Sequence, residues 1–210
     1  MLDRIKKLIL YCTSVEKFYF LCLVYGTRFT ADEMQLIMRA TSTIESEFKG
    51  QQRHTGEPVL THMLSVAAIL MCCLGINDAN LVVAALLHDL VEDRPNRWTV
   101  ERVALEFNRD VANLVASVTK RKRRPGENKH QYEAEVFAQV KAGGLRAITI
   151  KVADRIHNIL TPWGSKQKQR EKIRETVRYV SPLAEEIGVL WEEITIACAE
   201  ALVNLKRIKL

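Results

Sequence analysis

The densest group of chemically able side chains is Leu86-Leu87-His88-Asp89-Leu90-Val91-Glu92-Asp93. One imidazole and three carboxylates follow the apolar run Leu81-Val82-Val83-Ala84-Ala85. At about 100° per residue, a continuing helix puts Asp89, Glu92 and Asp93 on one face, with His88 one turn from Glu92. Carboxylates crowded at the end of a buried helix repel one another and lose hydration, and a bound cation relieves both penalties. Standing alone, the cluster reads equally well as a solvated helix terminus.

Two distant motifs decide against that. His62 opens one helical stretch, and Asp154 with Asn158 lies at i, i+4 in another, beside Lys151. Taken singly, His62 is a capping or surface histidine and Asp154 a surface ion-pair partner. His130 and His157 have no partner in the pattern and read as structural. Together, two imidazoles and two carboxylates form a mixed nitrogen and oxygen set. Such a set suits Mn²⁺, Fe²⁺, Mg²⁺ or Zn²⁺ with positions open to water and substrate, whereas a structural zinc site would use cysteines and close its shell.

The elements that must hold these residues are helices. The chain has 210 residues, 48% of them hydrophobic, with nine glycines and five prolines, a composition that argues against long disordered segments. Apolar spacing predicts helices over 1–25, over 61–74, 78–92, 99–107, 110–119 and 131–141, and over 144–160, 167–180 and 189–206. A further helix runs to about residue 49 from the capping start Thr30-Ala31-Asp32-Glu33. Gly50 to Pro58 reads as a polar loop, and Ser181-Pro182 and Gly188 as breaks. No period-2 run bounded by hairpin signals and no internal repeat occurs, so the expectation is one all-α domain.

The stretch Phe18 to Tyr25 is apolar all round and has to be buried, with the core its expected place. It is far too short to span a bilayer, and no signal peptide precedes it. Cys12, Cys22, Cys72, Cys73 and Cys198 show no CxxC spacing and read as reduced thiols of a cytoplasmic protein. The net charge of +6 points to an anionic partner. Part of it sits in Lys120-Arg121-Lys122-Arg123-Arg124. This run is either a solvated loop or a grip on polyphosphate or an RNA end, without the aromatic platforms of a single-strand RNA binder.

Arg53-His54-Thr55-Gly56-Glu57-Pro58 with His62, then His88-Asp89-Leu90-Val91-Glu92-Asp93, then Lys151-Val152-Ala153-Asp154-Arg155-Ile156-His157-Asn158, resemble the HD-type hydrolase of the RelA/SpoT alarmone family. The resemblance continues through 112–120 and through Arg174-Glu175-Thr176 with Ser181-Pro182-Leu183-Ala184. It implies a single HD-type multi-helix domain over 30–210, preceded by an N-terminal helical extension over 1–29. With no room for a synthetase or regulatory domain, the chain looks like a stand-alone small alarmone hydrolase. The implied reaction is metal-dependent removal of the 3′-pyrophosphate of (p)ppGpp or (p)ppApp, releasing pyrophosphate, with one Mn²⁺.

Carried over by position, His62, His88, Asp89 and Asp154 would hold the metal, and Glu92 and Asp93 would polarise and deprotonate the attacking water. Arg53 would face the cluster across the site and Asn158 would contact the ribose. Thr55 and Thr161 would be further substrate contacts, and His54 would stack beside the nucleobase. Val59, Met63 and Val180 depart from the family pattern, which leaves the choice of guanine or adenine open.

A second reading, from a different class, is an antitoxin-type protein. It would neutralise a toxic alarmone synthetase, by hydrolysing its product or by binding it through the apolar N-terminal segment, which could also serve self-association. A third is an HD phosphohydrolase for another nucleotide phosphate. Arg53 with Gly56-Glu57-Pro58, and the trailing Glu92-Asp93, argue for the alarmone branch over that one.

Overall fold

The structure, a computed structural model, describes residues 1–53 and 56–207, so the expectations for His54 and Thr55 lie outside the described residues. It contains α1 (Leu2–Tyr11), α2 (Val15–Tyr25), α3 (Ala31–Glu47), α4 (Val59–Ala68), α5 (Ala79–Leu87), α6 (Leu90–Asp93) and α7 (Val100–Glu106). Then come α8 (Arg109–Val118), α9 (Lys129–Ala142), α10 (Gly144–Leu160), α11 (Lys166–Glu175), α12 (Ser181–Ile187) and α13 (Trp191–Arg207). Among the described residues no strand forms, and one isolated bridge joins Gln52 to Pro58. The fold is all-α, as the periodicity predicts.

The helix starts follow local chemistry. Thr30 and Glu33 make a reciprocal capping box for α3, satisfying two backbone donors that the first turn leaves without partners. Asp78 and Asn108 cap α5 and α8 through Leu81 N at 3.0 Å and Val111 N at 2.9 Å. The segment 1–25 is two helices rather than one, because Ser14 turns extended and caps α2 through Lys17 N.

The predicted helical stretches 61–74 and 167–180 keep their ends, and each closes in a π turn. Helix α4 runs on into a π turn at Ile69–Cys73, and α11 into another at Thr176–Val180. The second lets Pro182 enter as an early residue of α12, where its missing N–H costs nothing, so Ser181-Pro182 re-phases the helix instead of breaking it.

Helix α10 is the spine. Twelve of its 17 residues are buried, including Lys151, Asp154, Arg155 and His157. It packs against α4, α5, α8, α9, α12 and α13. The close approach to α8 needs Gly143, where a Cβ would stand 2.6 Å from Ser117 Cβ. Arg155, fully buried, pairs with Glu175 at 2.8 Å and lies over the Phe137 ring.

Leu2, Ile5 and Ile9 of α1 and Phe18, Leu21 and Cys22 of α2 join the same contiguous core. The expectation that the Phe18 to Tyr25 stretch is buried all round is corrected: Phe20, Leu23 and Val24 are 54%, 78% and 52% exposed. A helix packed on one side of a small domain has only one face to bury, whatever its composition. The cysteines are free thiols, with Cys12, Cys22, Cys72 and Cys198 buried.

Candidate active site

Three helices converge their polar side chains at one point. Helix α5, apolar and buried along its length, delivers His88 from its C-terminal end. The chain then leaves helical register at Asp89 (φ −99°, ψ −4°) before α6 begins. The break corrects the expected single helix over 78–92: Glu92 and Asp93 ride on a separate short turn, braced by Asp93 N donating to Asp89 O at 2.9 Å. Helix α4 brings buried His62, and α10 brings buried Asp154.

The donor atoms meet closely. His62 Nε2 lies 3.1 Å from His88 Nε2, 3.2 Å from Asp154 Oδ1 and 3.5 Å from Asp89 Oδ2, and His88 Nε2 lies 3.2 Å from Asp89 Oδ2. Four donors about 2.1 Å from one ion would stand about 3–3.5 Å apart, so the set fits a divalent cation. His62, His88 and Asp154 are a grouping able to hold a metal, and Asp89 stands beside them. His88 Nδ1 donates to Ala85 O at 2.8 Å, so the neutral ring that a metal requires would carry its lone pair on Nε2, turned inward. Lys151 Nζ, also buried, pairs with Asp154 Oδ2 at 2.9 Å, leaving Oδ1 for the centre.

The charges bear out this crowding. Burial lowers the His62 pKa and takes that of His157 far down, aided by neighbouring His62 and Arg53. Burial works against the His88 cation too, but Asp89 and Asp154 outweigh it and raise His88 to about 9. Burial would raise Asp89 and Asp154, yet His88 beside the first and Lys151 beside the second hold both below the usual carboxylate range.

A second layer ties the donors to Arg53. Its Nη1 donates to Glu57 Oε1 at 3.0 Å and Thr161 Oγ1 at 3.2 Å and approaches His157 Nδ1 at 3.4 Å, while Nη2 donates to Asn158 Oδ1 at 2.9 Å. Asn158 Nδ2 donates in turn to Asp154 Oδ1 at 2.5 Å. The isolated bridge and the bond from Arg53 N to Glu57 O at 2.8 Å hold the loop that carries the arginine.

A cleft of about 390 Å³ opens over the centre, walled by His62, Asp89, Glu92, Asp93, Asp154 and Arg53 among others. Glu92 accepts from Lys120 N at 3.3 Å. Asp93, at the cleft mouth, is raised to about 6 by lost hydration and then by the Asp89 and Glu92 charges. Lys120 and Lys172 also line the cleft, and Lys172 is lowered to about 8 by Arg155 and by burial. Asn158, Trp163 and Lys172 are shared with a second cavity of about 700 Å³ between α1, α11, α13 and the end of α10.

The basic run splits: Lys120 faces the cleft, Arg121 is tied to Glu127 and Glu135, and Lys122, Arg123 and Arg124 sit at the surface. Asp154, which taken singly would be a surface ion-pair partner, is instead buried with Lys151, because α10 is covered on nearly all sides. The reading of His157 as merely structural also changes, since its ring meets that of His62 edge-on with centroids 4.6 Å apart. Glu57 was missed as well. Its pair with Arg53 lies in a loop, where an i, i+4 spacing carries no helical signal, so nothing in the sequence marks it. His130 is exposed and faces Arg178.

Residues 40–190 match the family model described as HD domain. A probable GTP pyrophosphokinase of Mycobacterium leprae is 38% identical over 164 residues, 76% of this chain and 20% of that protein. The bifunctional (p)ppGpp synthase/hydrolase SpoT of Escherichia coli is 35% identical over 162 residues, 75% of this chain and 22% of the relative. A guanosine-3′,5′-bis(diphosphate) 3′-pyrophosphohydrolase of Aquifex aeolicus is 36% identical over 156 residues, 73% and 22% respectively. The chain thus spans about a fifth of the length of these relatives. A solved structure described as a metazoan ortholog of SpoT that hydrolyzes ppGpp superposes with a TM-score of 0.67 at 23% identity, covering 79% of this chain and 94% of that one. That likeness concerns the fold.

Proposed function

The chain belongs to the HD-domain family, and from that premise we propose that it hydrolyses the 3′-pyrophosphate of alarmone nucleotides, (p)ppGpp or (p)ppApp. The observation that carries the reading is the convergence of His62, His88, Asp89 and Asp154 beneath a cleft that also holds Glu92 and Arg53. The names of the relatives that align with three quarters of the chain support the substrate class.

In this reading His62, His88, Asp89 and Asp154 hold one divalent ion, Mn²⁺ by the family resemblance. When bound, such an ion supplies Lewis acidity and neutralises phosphoryl charge. Glu92 takes a proton from the attacking water and Asp93 orients it. The water oxygen joins the phosphorus attached to the 3′-oxygen and that P–O bond breaks. The 3′-oxygen takes up a proton from solvent and leaves as the hydroxyl, Glu92 gives its proton back to solvent, and pyrophosphate departs. Arg53 turns its fork from Thr161 and Asn158 to the phosphates, and Asn158 and Thr161 then meet the ribose side of the substrate. Lys120 and Lys172 add positive charge where the pyrophosphate accumulates negative charge.

Residues 30–210 form the hydrolase unit and residues 1–29 its helical extension. The free cysteines support a reducing, cytoplasmic setting, and no described helix is long and apolar enough to cross a membrane. The exposed Phe20, Leu23 and Val24 favour one further element: contact of the N-terminal segment with another protein, a synthetase toxin or a second copy.

The test is to incubate the protein and Mn²⁺ with ppGpp, ppApp and their pentaphosphate forms and to separate the products. Pyrophosphate together with GDP, GTP or the adenosine equivalents is expected. Release of single phosphates, or no turnover of any of the four, would overturn the reading.

A further inference from the structure

We infer that His157 is a positioning residue for the metal centre, its Nδ1 fixing the tautomer and tilt of the His62 ring. The inference rests on the metal reading above and concerns a residue that reading does not use.

The argument is one of donors and acceptors. His62 and His157 face each other through their Nδ1 atoms, 3.0 Å apart, and one hydrogen lies between them. His62 Nε2 is the atom turned towards His88 Nε2 and Asp154 Oδ1, so a ligating ring keeps its lone pair there and carries its hydrogen on Nδ1. That hydrogen makes His157 Nδ1 the acceptor. Arg53 Nη1, 3.4 Å away, spends its two hydrogens on Glu57 Oε1 and Thr161 Oγ1.

His88 reaches the same state through a backbone carbonyl, Ala85 O. His62 does so through a side chain, so its state is open to mutation. Thr161 Oγ1 lies 3.2 Å from His157 Nδ1 but spends its hydrogen on His157 O at 2.8 Å, so it does not compete with His62 as a donor there.

The other edge of the ring points the same way. His157 is fully buried and its Nε2 has no hydrogen-bond partner among the described residues, an arrangement that costs stability. An apolar side chain would fill the space without that cost. What an apolar side chain cannot provide is the acceptor at Nδ1. An outer partner of a ligating imidazole is commonly a carboxylate or carbonyl; here it is a second neutral imidazole, which orients His62 without adding charge to a pocket already holding Asp89 and Asp154.

Mn²⁺ titrated calorimetrically into the native chain and into His157→Leu, His157→Asn and His157→Gln tests this, with thermal melts to verify folding. Asparagine places an amide oxygen near the position of Nδ1, and glutamine carries its amide out towards Nε2. The expected result is Mn²⁺ affinity about 10–100-fold weaker for the Leu and Gln variants and near native for Asn. Unchanged affinity in all three, or equal loss in all three, would overturn the inference. If the Leu variant does not fold, the contrast of Asn with Gln carries the test. A native chain that binds no Mn²⁺ would overturn the metal reading itself, which native binding indifferent to residue 157 would not.

Discussion

At His62 and His88 two imidazole nitrogens face each other across 3.1 Å with carboxylate oxygens beside them, and the neighbouring acids divide into two kinds. Asp89 touches both rings, while Glu92 stands off on the next turn. Asp89→Ala is therefore expected to lose Mn²⁺ binding and turnover together. Glu92→Gln should keep the metal while kcat falls by about 10²–10⁴-fold; full turnover in that variant would remove Glu92 from its role. The donor types and their order along the chain were legible in the sequence, because metal ligands announce themselves by chemistry. His157 was not legible, because its role comes from a ring-to-ring contact between α4 and α10 that no spacing within either helix records. Lys151 was visible on its helix face, but whether it pairs in solvent or in the core is decided by what covers α10.

Among the elements, the periodic helices appear where the apolar spacing puts them, and the departures are breaks and insertions. Periodicity carries the helix of residues 78–92 straight through, whereas the chain stops at Leu87 and restarts at Leu90. That pause swings Glu92 and Asp93 to the cleft wall. The π turns at Ile69–Cys73 and Thr176–Val180 are similarly silent in composition, since one extra residue per turn shifts the phase of a stripe without changing its residues. Gly143 shows how tightly one contact is fitted. Its backbone is ordinary, at φ −70°, yet a methyl group there would collide with Ser117 and Ala147. Gly143→Ala should cost about 1–3 kcal/mol through overpacking of α8 against α10, read as a fall in Tm; an unchanged melt would mean that the junction yields freely.

For the molecule as a whole, charge does two separable things. Inside, Glu175 neutralises the buried Arg155; burial alone would raise its pKa, but that guanidinium brings it to about 2. Because the folded pKa lies below the unfolded value of about 4.3, this stabilisation is fully present above that value and is lost as pH falls through the folded pKa. Glu175→Gln should thus cost about 3–5 kcal/mol at neutral pH by stranding the arginine, and the difference from native should shrink in acid; a constant difference from pH 7 to pH 3 would refute this. Outside, the net charge of +6 and the exposed Lys122, Arg123 and Arg124 should draw polyphosphates over a distance. KM for the nucleotide is then expected to rise with salt, and replacing those three by alanine should flatten the slope; an unaltered slope would return the loop to being a solvated run. The sign and place of this charge were plain in the sequence, but the inward turn of Lys120 was not. Helix α10, covered on nearly all sides and bearing Asp154, His157 and Asn158, carries a last consequence. Its amide hydrogens from Ala147 to His157 should exchange with deuterium only when the whole domain opens, making the floor of the cleft part of the most protected cooperative unit. Fluctuations short of that opening then belong to the rim, so any adjustment to an incoming nucleotide is confined to the Arg53 loop and the basic run.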